Sequence, residues 1–145
     1  MKMRWVALLA LVLLALCSAA GASGALSISE AWIRTPPPGM GMLAGYALLH
    51  NDGDQAIAVT SAGSADFASA SLHESSETNG VARMRALDRF EVPAHASVAL
   101  KPGGMHLMLM QPRRELKAGD RVVVRVHTAE GREIAADFVV RDDAP

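Results

Sequence analysis

Two short arrays in this sequence could hold a soft metal ion: His106-Leu107-Met108, and the more widely spaced pair His73 and Met84. Thioether sulfur and imidazole nitrogen together select copper(I), whereas hard cations seek oxygen. Methionine sulfur is neutral and carries no proton to displace, so such a site works in an oxidising compartment where a thiol would be consumed. The donors available are five histidines and eight methionines, against a single cysteine, Cys17.

The elements that position these residues read as strands. In an extended chain His106 and Met108 project to one face and Leu107 and Leu109 to the other, so one face is core and one carries donors. The turn Pro102-Gly103-Gly104 sets the pair near a strand end, where an ion can enter and leave. His73 and Met84 flank Asn79-Gly80, a strong hairpin signal. A two-residue loop puts Met84 opposite Ser75 and diagonal to His73. A four-residue loop, 77–80, puts His73 and Met84 directly opposite, and either even length leaves both on one face. Each residue taken alone has a packing reading: a lone strand histidine is usually a surface or satisfied core residue, and a lone methionine fills gaps. Two separate His/Met pairs on strands of a secreted domain without a thiol are what raise the metal reading.

Residues 1–22 read as a secretory signal: Lys2 and Arg4 precede the apolar run from Trp5 to Leu16, and small residues follow. Cleavage is expected after Ala22, with cuts after Ala20 or Ala25 as alternatives. The apolar run falls short of the roughly 20 residues of a membrane span, and a soluble monomer is expected. Lipidation of Cys17 is an alternative, although Leu16 stands where a small residue usually precedes such a cysteine. Removal of the leader removes the only thiol, and with it disulfides, thiolate metal sites and cysteine nucleophiles. It also takes Lys2 and Arg4, moving the formal charge from −1 to −3, which offers nothing to nucleic acid. No nucleophile motif accompanies the serines and histidines, so an enzyme is not expected.

From residue 26 to 141 short β-branched and apolar stretches alternate with glycine, proline, asparagine and aspartate turns. Nine strands are expected, at 26–34, 43–50, 56–62, 69–75, 81–87, 97–100, 106–110, 121–128 and 133–141, in an all-β barrel or sandwich. Asn51-Asp52-Gly53-Asp54 reads as a hairpin turn, since the glutamate that would complete a calcium loop is missing. Pro36-Pro37-Pro38-Gly39 must be a surface loop.

The same residues resemble the periplasmic copper chaperone family PCu(A)C, whose signature is His, ten residues, Met, twenty-one residues, then His-x-Met. His73, Met84, His106 and Met108 match that spacing in full. Ala31-Trp32-Ile33-Arg34, Pro37-Pro38-Gly39, Ala44-Gly45-Tyr46 and Leu72-His73-Glu74 are similar to further family landmarks. The resemblance implies a cupredoxin-like Greek-key β-barrel in the periplasm, holding one copper(I) per chain in a His2Met2 site. It also implies delivery toward the binuclear copper centre of cytochrome c oxidase, alongside Sco-type thioredoxin-like proteins. Ala82 stands where many relatives carry methionine, and the chain ends without the His/Met-rich tail that some use for a second copper. An electron-transfer cupredoxin would need a cysteine ligand. The remaining alternatives are a storage or tolerance protein and a secreted β-sandwich binding module without a delivery role.

Met40 and Met42 are read as loop methionines, Met105 and Met110 as packing, and His50, His95 and His127 as surface residues without partners. Glu74, Arg83 and Arg85 are candidates for tuning the site's field or for contacting a partner.

Overall fold

Ten strands form among residues 25–145, the part of the chain that the computed structural model describes. The expected leader at 1–22, its cleavage site and Cys17 lie outside the described residues. The strands are β1 (Leu26–Arg34), β2 (Met42–Asn51), β3 (Ile57–Gly63), β4 (Phe67–Thr78), β5 (Val81–Leu87), β6 (Phe90–Val92), β7 (Ala96–Leu100), β8 (Met105–Pro112), β9 (Arg121–Thr128) and β10 (Glu133–Arg141). No helix occurs among the described residues. The strand that the sequence pattern misses is β6: three residues ending at Pro93 are too short to display alternation, although Phe90 and Val92 are buried and Glu91 is exposed.

The strands join in one sheet ordered β5-β4-β8-β2-β1-β10-β9-β3-β6, with β7 paired to the remaining length of β2. This order runs open from β5 to β6 and does not close into a barrel. Leu72 of β4 and Phe90 of β6, from opposite ends of the order, join one core cluster with Ile33, Leu49, Leu109 and Phe138. The sheet therefore folds over on itself in the manner of a sandwich. Asn51-Asp52-Gly53-Asp54 is a turn but not a hairpin turn, because the strands it joins, β2 and β3, do not pair with each other. Fully buried Asn51 shapes it: its amide donates to the carbonyls of Gln55 (2.7 Å) and Val92 (3.0 Å), and its oxygen accepts from the Gly53 amide (2.9 Å).

The core fixes which residues face away from it. Burying a valine, leucine or phenylalanine side chain contributes roughly 1.5–3 kcal/mol, and a one-residue slip of β8 would turn Leu107 and Leu109 outward together. That slip is excluded energetically, so His106, Met108 and Met110 are held on the other face. On β1 a bulge between Ser29 and Trp32, with Glu30 at φ 50°, inserts one extra residue. Beyond it the alternation changes phase: Leu26 and Ile28 point to the core before the bulge and Ile33 after it. Trp32 is thereby brought opposite Tyr46 on the face that carries the histidines.

Candidate metal centre

The Asn79-Gly80 connection is the two-residue loop, with both residues at positive φ (53° and 75°), the backbone of a type I′ turn. Met84 accordingly pairs with Ser75 and lies diagonal to His73. On its other edge β4 pairs with β8, placing His73 directly opposite His106 and Ser71 opposite Met108. Paired residues project to the same face. His73, Met84, His106 and Met108 thus occupy one patch spanning three neighbouring strands, and the imidazole ring centroids of His73 and His106 lie 6.0 Å apart.

The four differ in access. His106 and Met108 sit on a strand flanked by β4 and β2 and are 5% and 7% exposed. The turn before β8 does bring them to a strand end, yet they form a floor and not a rim. His73 is half-buried, and Met84, on the terminal strand β5, is 55% exposed.

Hydrogen bonding fixes how the imidazoles present their nitrogens. Nδ1 of His106 lies 3.0 Å from the carbonyl oxygen of Gly104, which can only accept. Nδ1 therefore carries the proton, and Nε2 presents its lone pair. In His73, Nε2 lies 3.0 Å from Ser71 Oγ, while Nδ1 is buried with no hydrogen-bond partner. A buried nitrogen left unpaired costs about 1–3 kcal/mol, and a cation bound there would remove that cost. Burial, and secondarily the neighbouring His106, holds the His73 pKa below its ordinary value, which favours the neutral, ligand-competent form. Ser71 and Gly104 were not singled out from the sequence. Each stands two residues before the histidine it contacts, so strand alternation was the signal that could have found them.

Other parts of the site are aromatic. Tyr46 lies 6.4 Å from His106 and 4.7 Å from Trp32, ring centre to ring centre, and the Arg34 guanidinium sits 5.9 Å over the Trp32 ring. Both aromatic residues are buried, walling the floor with apolar surface. Burial pushes the Tyr46 hydroxyl pKa up, partly countered by Arg34.

Glu74, Arg83 and Arg85 do not belong to this face. Arg85 pairs across the strands with Glu74 and donates to its carboxylate at 2.6 Å, while Leu72 and Leu87 of the same phase point to the core side. Met105 also falls in that phase, opposite Glu74. Of the three remaining histidines His95 is exposed and His50 and His127 are half-buried, and each has a carboxylate partner, Asp52 for His50, Asp54 for His95 and Glu133 for His127. Among the described residues no group of three His, Cys, Asp or Glu side chains is arranged to hold a metal ion. The side chains that share this face with His73 and His106 include the thioethers of Met84 and Met108, which are soft donors.

A family profile described as "Putative lipoprotein LpqE-like" matches residues 26–140. The chain is 33% identical over 116 residues to "Putative lipoprotein Lxx21020" of Leifsonia xyli subsp. xyli (strain CTCB07), a match covering 79% of this chain and 69% of that protein. Among solved structures it is similar to the copper(I) form of DR1885 from Deinococcus radiodurans, with TM-score 0.68, 27% identity, and coverage of 86% of this chain and 83% of that one. The copper-bound PCuAC domain of PmoF2 shares the fold, with TM-score 0.67 and 24% identity over 86% of this chain and 97% of that domain. The match over nearly all of the described strands places the chain in the LpqE-like family, on the cupredoxin-like fold of the PCuAC domains.

Proposed function

We propose that this chain is an exported copper(I) metallochaperone that holds one ion among His73, Met84, His106 and Met108 and passes it to a partner protein. The observation that carries this reading is the pairing of His73 with His106: one imidazole has a buried, unpartnered nitrogen, and the other has a lone pair left open by its carbonyl bond. Two thioethers on the same face complete a neutral set suited to copper(I). Two structural relatives, the copper-bound PCuAC domain of PmoF2 and the copper(I) form of DR1885, support the same ion.

The ion is cargo. His106 and Met108 form the buried side of the site, with Gly104 and Ser71 orienting the imidazoles. Met84 closes it from the exposed edge. Because none of the four ligands releases a proton on binding copper in its neutral form, an incoming thiolate or thioether can replace them one at a time, starting at Met84. Graded exposure favours delivery over long-term storage, since Met84 is open to solvent, His73 is half-buried, and His106 and Met108 are buried. The recipient we favour is the copper-bearing subunit of cytochrome c oxidase, with Sco-type proteins as co-workers. Export through an N-terminal leader agrees with the lipoprotein descriptions of the family and of the Leifsonia relative, which also support the alternative in which the leader ends before Cys17 and that residue carries the lipid.

A competition titration of the mature protein with copper(I) against a chromophoric chelator, followed by X-ray absorption on the loaded sample, tests the site. A one-to-one complex with about two nitrogen and two sulfur neighbours is expected. An all-nitrogen shell, or no binding, would return the chain to a β-sandwich module of another purpose.

A further inference from the structure

Three of the five large apolar side chains exposed among the described residues are methionines, Met40, Met42 and Met84. Met84 belongs to the patch above, but Met40 and Met42 are 47% and 42% exposed and take no part in the core. Met42 stands directly opposite Met110 across β2 and β8, and the next pair on the ladder's same face is Ala44 with Met108. Directly opposed residues have Cβ atoms about 4.5–5.5 Å apart, and same-face neighbours along a strand are separated by roughly 6.6–6.8 Å. Met108, Met110 and Met42 therefore form a continuous thioether row that begins at the floor of the histidine site. Its flanking residues on that face are small: Ala44 beside Met108, and Ser69 opposite Met110 on β4.

The backbone around the outer end of this row is tied down. The Gln111 amide donates to the Gly41 carbonyl at 2.7 Å, with Gln111 at φ 51°, closing the ladder just past the Met42–Met110 pair. Met40, whose amide donates to the Pro37 carbonyl (3.1 Å), instead lines a cleft of about 280 Å³ with the three prolines and Pro112, a cleft that neither Met42 nor Met110 lines. The cation of Arg34 is drawn away onto Trp32. Packing accounts for Met110, which is half-buried, but not for the exposed Met42 thioether opposite it.

We propose that Met42 and Met110, paired across β2 and β8, form a second soft-metal site. It is built from thioethers alone and takes a monovalent d10 cation such as copper(I). With no imidazole donor it binds more weakly than the His/Met site and fills after it. Its place at the outer end of the row makes it a station between solvent and the buried Met108. This site stands on its own donors, so it does not require the His73–His106 reading to hold.

The test is an anaerobic copper(I) titration of the mature protein carrying 13C-labelled methionine methyl groups, followed by NMR. The Met42 and Met110 methyls are expected to move with the second equivalent, after Met84 and Met108, while Met105 on the opposite face stays in place. In Met42→Leu/Met110→Leu the second binding event weakens at least about tenfold, the scale of even indirect ligand losses, with the first unchanged. In Met84→Leu/Met108→Leu, where leucine preserves volume, the Met42 and Met110 shifts persist. Motionless Met42 and Met110 methyls through three equivalents would overturn the second site, as would shifts that vanish in Met84→Leu/Met108→Leu. Failure of Met84 and Met108 to move would count against the first site alone.

Discussion

His73 and His106 face each other directly across β4 and β8, 6.0 Å between ring centres, and neither spends both ring nitrogens on the protein. The pairing joins two sequence segments 33 positions apart, each with its own methionine: Met108 follows two residues after His106, and Met84 arrives through the hairpin. If this patch holds copper(I), removing a sulfur should weaken binding without disturbing the fold. Met108→Leu keeps the buried volume, a kind of swap that usually costs less than about 1.5 kcal/mol. Copper(I) affinity is expected to fall at least about tenfold, as it should in His106→Ala. Met110→Leu should leave the first equivalent unaffected. Competition titrations of the three variants settle it, and equal losses in all three would show the site to be misplaced.

Local pattern in the sequence reached the faces of single strands and the hairpin, because alternation and the Asn79-Gly80 turn act over a few residues. Leu107 and Leu109 against His106 and Met108, and Met84 opposite Ser75, are of this kind. The strand order is not local. That β4 lies between β5 and β8, joining the two His/Met pairs, depends on contacts across the whole chain. Parity also misled where it was not applied: Arg83 and Arg85 neighbour Met84 in sequence and are turned to the other face for that reason. The β1 bulge at Glu30 has no pattern signal, since the residue carries a positive φ without being glycine or asparagine.

Ser71 provides a test of orientation distinct from ligation. Its hydroxyl lies 3.0 Å from His73 Nε2, leaving Nδ1 as the nitrogen toward which a cation would be drawn. Ser71→Ala should loosen the ring and reduce copper(I) affinity by about tenfold, in the range seen when partners of metal-bound histidines are lost. The nitrogen and sulfur neighbours counted by X-ray absorption should not change. A change in the count would make Ser71 more than a positioning residue.

Acid sensitivity should come from a cluster remote from the histidines. Asp120 accepts from the Lys117 amide at 3.0 Å and from Arg114 at 3.2 Å, and Arg114 also donates to Asp66 at 2.8 Å. These contacts, the Lys117 amide first, hold the Asp120 pKa below its ordinary 3.8. A carboxyl whose folded pKa is depressed adds stability at pH above the unfolded value and loses it as pH falls through the folded one. Thermal melts of the wild type should therefore drop more steeply below about pH 4 than those of Asp120→Asn. At neutral pH the variant should bind copper(I) as the wild type does. Parallel melting curves down to pH 2 would show that Asp120 contributes nothing to the acid limb.

Met84 is where release should be decided. It is the exposed member of the patch, on a terminal strand whose pairing is to β4 alone, so a recipient's ligand can approach copper from this side without opening the core. Met84→Leu should therefore act mainly on the rate of loss, because differences among related complexes fall chiefly in the off-rate. Stopped-flow transfer to a chelator should speed up by at least about tenfold, the scale expected for losing a ligand. The melting temperature should hardly change, since an exposed substitution of this kind usually stays within about 0.5 kcal/mol. Unchanged transfer rates in Met84→Leu, with the same sulfur count as the wild type, would mean that copper leaves by another path. The exposed methionine at the other end of the patch, Met42, would then be the place to look.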